Sequence, residues 1–144
     1  MRSIKYILVN DTVNKTPSGA PVRYDASNLG HHYVINSAGA VLKLINVCRP
    51  GSFMPKPTCG EEDLNKCSIG IKFNGSLESG TLNLELRARL IHLLVELRSH
   101  FPDAKILGVS ELGLEVRDQR IVSSRRLCPN DAMNSIRRTL SDLP

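Results

Sequence analysis

A regular leucine stripe in the second half of the chain constrains the fold more than any other feature. Apolar residues recur there at intervals of three and four, the spacing of one face of an α-helix, and predict a helix over Asn83–His100. The stripe consists of Leu82, Leu86, Leu90, Leu93, Leu94, Leu97 and Phe101. Pro102 ends the pattern, because proline cannot continue a helix. A helix with a single apolar stripe needs a second apolar layer to cover it.

Short apolar segments on both sides of this helix predict a sheet as the second layer. Ser3–Val9, Ser68–Phe73 and Lys105–Val109 are rich in large or β-branched residues and have the length of strands. The polar run that begins at Asn10 is expected to end the first of them. Gly70 lies inside the second strand, where the missing side chain favours close packing of a neighbouring backbone or helix.

Two hairpins, a closing helix and two loops complete the predicted elements. They are a hairpin of His31–Asn36 and Ala40–Ile45 around Gly39, a hairpin of Leu114–Val116 and Arg120–Val122, and a helix over Ala132–Leu140. The loops are residues 14–30, with at most a short helix around Arg23–Asn28, and a Pro/Gly-rich excursion over Asn46–Lys66. Strands and helices are interleaved, which favours one α/β domain over residues 1–144, a mixed β-sheet flanked by helices.

Composition and charge exclude several classes of protein. With 41% apolar and 23% charged residues, the 144-residue chain is not a disordered tail, and no apolar run approaches the roughly 18 residues of a membrane span. The N-terminus lacks the apolar core and cleavage site of a signal peptide, so we expect a cytoplasmic protein. The net charge of +5 is concentrated in residues 1–60, which hold seven basic and two acidic residues. Such a surface permits attraction to nucleic acid or to another anionic polymer.

The four cysteines carry no metal or redox motif of their own. Cys48, Cys59, Cys67 and Cys128 include no C-x-x-C pair, so their spacing predicts neither a zinc ribbon nor a thioredoxin-type site. We expect free thiols that are mostly buried, because a chain of this length can build a core without disulfides.

Several short motifs follow one another in a recognisable order. They are Ile7-Leu8-Val9-Asn10-Asp11-Thr12, Gly30-His31-His32-Tyr33-Val34-Ile35, Gly39 with Val41, Asn65 with Ser68-Ile69-Gly70-Ile71, Phe101-Pro102-Asp103-Ala104-Lys105-Ile106-Leu107-Gly108, and Cys128-Pro129. Their order and spacing resemble the N-acetylmuramoyl-L-alanine amidase family, which includes phage-lysozyme-type amidases and peptidoglycan recognition proteins. The second motif is similar to the family's G-Y-H-Y-V-I strand, and the fourth to its N-x-x-S-I-G-I segment. The similarity extends over nearly the whole chain.

This resemblance implies a zinc-dependent chemistry. Family enzymes cut the amide between the lactyl group of muramic acid and L-alanine of the stem peptide, with one zinc held by two histidines and a cysteine or aspartate. Zinc with an open fourth position lowers the pKa of its water and polarises the amide carbonyl. A tyrosine or glutamate assists proton transfer, and a lysine stabilises the developing oxyanion.

The family's site residues are only partly present in this sequence. The two zinc histidines correspond to Asn10 and Val109, and the third ligand corresponds to Cys128. An amide is a poor zinc ligand and valine has no donor atom at all. The assisting tyrosine corresponds to His31 and the oxyanion-side lysine to Arg126, which keeps the charge but not the geometry. Zinc is therefore expected for the family but is not supported by these residues, and we expect no cofactor.

We accordingly expect an amidase-fold protein that lacks the zinc site, is hydrolytically inactive and acts by binding. One expected partner is a peptidoglycan fragment or muramyl peptide in the former cleft. The residues expected to line it are Asn10, Thr12, His31, Tyr33, Ser110 and Arg126. The other is a protein or nucleic-acid partner held by the basic residues 1–60 and the 46–66 loop, and no membrane is involved. The similarity to phage-type amidases is compatible with a gene of phage or mobile-element origin.

An active N-acetylmuramoyl-L-alanine amidase remains the alternative. A rebuilt metal site would combine His31 or His32 with Cys128 and a third ligand such as Asp11 or Glu111. A metal-free route would use Cys128 as nucleophile with His31 as its base. Because adjacent residues on a strand point to opposite faces, the two histidines are not expected to hold one ion together.

Overall fold

The fold is described from a computed structural model, over residues 2–11, 30–36, 38–54, 56–57, 62–73, 84–112, 114–117, 120–124 and 131–143. The elements are β1 (Tyr6–Asp11), β2 (Tyr33–Ile35), β3 (Val41–Lys43), β4 (Lys56–Pro57), α1 (Leu64–Cys67), β5 (Ser68–Phe73), α2 (Leu84–His100), β6 (Lys105–Gly108), a 3-10 turn (Val109–Leu112), β7 (Leu114–Arg117), β8 (Arg120–Ser124) and α3 (Asp131–Asp142). Strands and helices interleave as the sequence predicts, and the class is α/β.

The main sheet has five strands in the order β3-β2-β5-β1-β6. β2, β5, β1 and β6 are parallel neighbours, and β3 is antiparallel to β2 at one edge. Because β1, β5 and β6 run parallel to one another, their carboxyl ends lie side by side at the same end of the sheet. A second sheet has the order β4-β8-β7.

The two faces of the main sheet are buried by different parts of the chain. Along β1, Ile7 and Val9 belong to the larger apolar cluster, which α2 and α3 complete. Leu8, between them, belongs to a second cluster that includes Phe53 and Val109. This alternation follows from the two-residue period of a strand. One face is therefore covered by helices, and the other by the 46–66 excursion and the 3-10 turn.

Most of the predicted elements are confirmed. The strand Ser68–Phe73 has the predicted bounds, and the leucine-rich helix is present over Leu84–His100, while Asn83, the first residue of the predicted helix, lies outside the described residues. Its buried residues are Leu86, Leu90, Leu93, Leu94 and Leu97. The first hairpin turns at Gly39, whose φ of 86° lies in the left-handed region that glycine tolerates. The second hairpin and the closing helix are also present.

Two predictions about the N-terminal half need correction. The first strand begins at Tyr6 and continues to Asp11, whereas the sequence predicts Ser3–Val9. Its polar end persists because β5 pairs with it on one side as far as Phe73. The Asn46–Lys66 excursion is not entirely loop, because it contains β4 and ends in α1. The predicted short helix around Arg23–Asn28 lies outside the described residues.

Among the described residues, none of the helices has the length and apolar character needed to cross a membrane. Of the described cysteines, Cys67 is a buried free thiol, as expected, whereas Cys48 is a free thiol exposed to solvent.

Candidate functional site

The candidate site lies where two neighbouring parallel strands end. Val9 of β1 and Gly108 of β6 are paired across the sheet, so the residues that follow them, Asn10 on β1 and Val109 at the start of the 3-10 turn, come next to each other along the chain direction. These are the two positions at which the sequence resemblance places the family's zinc histidines. In open α/β sheets, ligands bind outside the carboxyl ends of the strands. The fold therefore brings both positions to the end of the sheet where a ligand is expected.

Asn10 is in contact with His31. The Asn10 Nδ2 atom lies 3.4 Å from His31 Nε2, and the two side chains are only 4% and 2% exposed. The His31 ring also lies against the ring of Phe53, with 5.2 Å between the centroids. Two residues that are 21 positions apart in sequence thus form one buried polar pair. In this contact the amide Nδ2 is the donor and the ring Nε2 is the acceptor.

Val109 continues the apolar surface of the sheet. It is 4% exposed and belongs to the same cluster as Leu8, Phe53, Met54 and Leu112. An isopropyl group offers no lone pair to a metal ion, and its neighbours in this cluster are apolar. The donors at these two positions therefore do not fit zinc. No group of three histidine, cysteine, aspartate or glutamate side chains is arranged to hold a metal within the described ranges, which do not include Cys128.

Glu111, considered as a third metal ligand, is committed to other partners. Arg137 on α3 donates to both of its oxygens, from Nη1 to Oε1 and from Nη2 to Oε2, each at 2.7 Å. The N–H of Gly108 also donates to Oε1, at 2.9 Å. This hydrogen-bonded pairing raises the pKa of Arg137. The carboxylate, 3% exposed, fastens the 3-10 turn to α3 and β6.

His32 has a structural role that excludes metal binding. Its Nδ1 accepts the Gly70 N–H at 3.0 Å, so the proton is on Nε2, which donates to the Arg49 carbonyl at 2.7 Å. Burial lowers the pKa of His32, and the Arg2 guanidinium, 3.0 Å from Nε2, lowers it further, against the opposing effect of the Arg49 bond. Both ring nitrogens are therefore used, and the ring is neutral.

The two adjacent histidines do not follow the alternation expected of a strand. Both precede β2, which begins at Tyr33. Their rings lie against the same Phe53 ring, at centroid distances of 5.2 and 5.9 Å. Their polar partners nevertheless differ, since His31 contacts Asn10 and His32 contacts Gly70 and Arg49. The expectation that they do not share a site is consistent with this arrangement, although its physical reason differs.

Tyr33, another of the expected cleft residues, is not brought to this pair. Tyr33 is half-buried against the helix-covered core, on the opposite face of the sheet from Leu8 and Phe53, and burial raises its pKa. It is separated from Asn10 because it shares its face with Ile35. Ser110 follows Val109 in the 3-10 turn. Thr12, Arg126 and Cys128 lie outside the described residues.

Lys72 lies beside Asn10 in the sheet, at a position that the sequence did not single out. It is the register partner of Asn10 on β1 and of Val34 on β2, and it is partly exposed. Register partners on neighbouring strands point to the same face, so the side chains of Lys72 and Asn10 lie on the same face of the sheet. The signal available in the sequence was its position two residues after Gly70, but it becomes informative only once the strand order is known.

Comparison with known proteins agrees with this architecture. The sequence profile of the family described as N-acetylmuramoyl-L-alanine amidase matches residues 1–131. Among solved structures, the chain is similar to the N-acetylmuramoyl-L-alanine amidase LysC from Clostridium intestinale URNW, with 16% identity and a TM-score of 0.60 over 96% of this chain and 87% of that one. It is also similar to the endolysine N-acetylmuramoyl-L-alanine amidase LysCS from Clostridium intestinale URNW, with 17% identity and a TM-score of 0.60 over 96% and 85% of the two chains.

No curated protein sequence matches the chain significantly. At these identities the two solved structures establish a common fold, and the family is established by the profile match over most of the sequence. The chain belongs to the N-acetylmuramoyl-L-alanine amidase family.

Proposed function

We propose that this protein is a non-hydrolytic member of the amidase family that binds a peptidoglycan fragment without cleaving it. The observation that carries the proposal is the pair of strand ends at Asn10 and Val109. Two of the three positions that hold zinc in the family are occupied by a hydrogen-bonded amide and a buried isopropyl group. Without its metal, this family's mechanism loses both its activated water and its Lewis acid.

The surroundings of the two positions support the loss of hydrolysis. Asn10 and His31 are nearly inaccessible to solvent, and Val109 packs among apolar side chains. A hydrolytic centre needs a water molecule and a scissile carbonyl at the same point. Restoring a metal would require two substitutions and would place an imidazole in the apolar cluster of Val109.

Family membership supports peptidoglycan as the class of ligand, and the strand ends are the expected place of contact. A fragment would bind above the buried Asn10–His31 pair and would meet the partly exposed Lys72 beside it. Binding without cleavage would make the protein a carrier or sensor of muropeptides rather than a wall-degrading enzyme.

The test combines digestion and binding on the same preparation. The purified protein, with and without added zinc, is incubated with muropeptides, the products are separated by liquid chromatography, and binding is measured by calorimetry. We expect intact muropeptides and saturable binding. Zinc-dependent release of stem peptide would show a rebuilt metal site, and zinc-independent release abolished by Cys128→Ala would show a cysteine route.

A matched gain-of-site variant provides the control. Asn10→His combined with Val109→His restores the family's ligand types, and Cys128→Ser in that background removes the third. We expect measurable zinc binding only in the double variant with Cys128 intact, by competition with a chromophoric chelator. If the unaltered protein competes for zinc as well as the double variant does, the proposed loss of the metal site is wrong.

A further inference from the structure

Helix α2 carries a second apolar stripe in addition to the leucines that it buries in the core. This outer stripe has successive spacings of four, three and four residues, and consists of Leu84, Ala88, Ile91 and Val95. With about 3.6 residues per turn, the four positions lie on one side of the helix, roughly opposite the buried leucines. The helix is therefore apolar on two sides, and the core accounts for only one of them.

The outer stripe lines an open groove of about 430 Å³, together with Leu143, the residue that follows α3. Leu84 is 79% exposed and Leu143 is 41% exposed, whereas Ile91 and Val95 are half-buried against the core. Because the buried leucines face the main sheet, the groove lies on the outer side of α2. It is thus separate from the Asn10–His31 pair, which lies on the other face of that sheet.

Arg87 places a partly buried cation at this groove. Its Nη2 donates to the hydroxyls of Ser135 and Thr139 on α3, at 3.2 and 3.0 Å. These hydroxyls hold the guanidinium in position without neutralising its charge, and no carboxylate in the described part of the chain pairs with it. The described residues that line the groove likewise include Arg87 and His92 but no acidic residue. The groove therefore combines an apolar surface with a fixed positive charge.

The occupant that fits these features is an α-helix with acidic residues beside its own apolar stripe. Apolar residues at alternating intervals of three and four are the pattern by which one helix packs along another. Leu84 and Val95 are eleven residues apart, so the outer stripe is about 16 Å long, or three turns of helix. A carboxylate on the partner would complement Arg87, whereas the groove-lining residues of a second copy would bring another arginine to it.

We propose that the groove between α2 and the end of α3 is a docking site for an acidic amphipathic helix of a partner protein, with Arg87 as its anion-binding residue. The apolar stripe supplies a surface for the partner's apolar anchors, as in other helix-in-groove complexes. The guanidinium has five N–H donors in a planar fork that matches a carboxylate. A charge-assisted bond at a partly buried position is stronger than one in open water, so Arg87 selects acidic partners.

The test uses three synthetic peptides as probes. Each is two heptads long and stapled into a helix, with leucine at the a and d positions, and they differ only in whether the flanking e and g positions are glutamate, glutamine or lysine. Binding of the labelled peptides to the full chain is measured by fluorescence anisotropy at low and moderate salt.

The variants are Arg87→Gln, Leu84→Ser and, as the control, Arg89→Gln. The control removes the same charge from an exposed position on α2 that is not among the residues lining the groove. Circular dichroism and melting temperature confirm that each variant is folded.

We expect the glutamate peptide to bind most tightly, Arg87→Gln to weaken its binding about 10-fold, and Arg89→Gln to have little effect. Leu84→Ser should weaken binding of the glutamate and glutamine peptides alike, because it removes an apolar contact that both share. No binding of the glutamate peptide, equal affinity for all three peptides, or equal affinity of Arg87→Gln and the unaltered protein would overturn the proposal. Sedimentation velocity tests the remaining occupant: a dimer that Leu84→Ser dissociates would assign the groove to a second copy and would also overturn the proposal.

Discussion

Arg137 of α3 and Glu111 form a bidentate ion pair, and Glu111 belongs to the same 3-10 turn as Val109. Both contacts measure 2.7 Å, and the same guanidinium donates to the carbonyl of Ile106 at 3.0 Å. Because Glu111 also accepts the Gly108 N–H, one carboxylate joins α3, β6 and the 3-10 turn. The carboxylate lies in the same turn as Val109, and both of its oxygens accept hydrogen bonds from within the fold.

Removal of this carboxylate is expected to destabilise the fold strongly. Glu111→Ala leaves the part-buried Arg137 guanidinium and the buried Gly108 N–H without their acceptor, and we expect a loss of about 2–3 kcal/mol in the free energy of unfolding. Arg137→Lys loses the forked geometry and should cost less. Urea denaturation measures both. The control is Arg138→Lys, an exposed neighbour on the same helix, which should change stability by less than about 0.5 kcal/mol. A Glu111→Ala loss no larger than the control's would contradict the structural role.

His32 should make stability depend on pH. Burial lowers its pKa in the folded protein, while the unfolded chain titrates near the ordinary value of about 6.5. The folded state therefore resists a proton that the unfolded state accepts, so the contribution is complete above about pH 6.5 and is lost as the pH falls below it. Free energies of unfolding at several pH values between about 5 and 7.5 should show this decline.

His32→Gln is the matching variant, because an amide can still accept the Gly70 N–H and donate to the Arg49 carbonyl without titrating. We expect a shallower pH dependence than in the unaltered protein. His92→Gln, at an exposed position on α2, should leave the slope unchanged. An identical slope in His32→Gln would show that the ring does not carry the effect.

The fold was more predictable than the site, and the reason lies in the range of the interactions. The leucine stripe and the strand Ser68–Phe73 are local patterns with the period of the element they form, and both were found. The contact between Asn10 and His31 depends on strand order, which no local pattern encodes. The position of Lys72 beside Asn10 and Val34 is not encoded locally either, because these neighbours come from two other strands.

The excursion over residues 46–66 was predicted as a loop because its prolines and glycines dominate the local pattern. Phe53 and Met54 are nevertheless buried, 5% and 6% exposed. The side chain of Asn65 holds them: Oδ1 accepts both of their N–H groups, at 3.1 and 3.0 Å, and Nδ2 donates to the Met54 carbonyl at 2.9 Å. The Asn65 side chain supplies the backbone hydrogen bonds that a neighbouring strand would otherwise supply to Phe53 and Met54. Local composition does not reveal such a role.

Asn65→Ala is therefore expected to loosen the segment that covers the sheet. Three buried backbone groups would lose their partner, and we expect a loss of about 3 kcal/mol, with faster amide exchange at Phe53 and Met54. Hydrogen exchange resolved by residue measures the local effect. Asn46→Ala removes one exposed hydrogen bond to the Cys48 N–H and should cost less than about 1 kcal/mol. If amide exchange at Phe53 and Met54 is unchanged in Asn65→Ala, the Asn65 side chain does not hold this segment against the sheet.

Substitution of Gly70 by alanine tests its contact with Phe53. Packing predicts a loss of stability, whereas strand propensity alone predicts a gain. The expectation of close packing at Gly70 is met by an aromatic side chain rather than by a backbone or helix. A Cβ at this position would lie 2.7 Å from three atoms of the Phe53 ring. Gly70 is not among the glycines of positive φ, so alanine is compatible with its backbone and on propensity alone would favour the strand.

We expect Gly70→Ala to lower the free energy of unfolding by about 1–3 kcal/mol, because the ring is held between the sheet and His31 and has little room to retreat. Phe53→Leu provides the space, so Gly70→Ala should cost less in that background, with a coupling of about 1 kcal/mol in a double-mutant cycle. Additive losses in the double variant, or a stabilising Gly70→Ala, would mean that the ring does not rest on this glycine. A clear coupling would establish that Phe53, from the 46–66 excursion, packs on the sheet at Gly70 and beside His31.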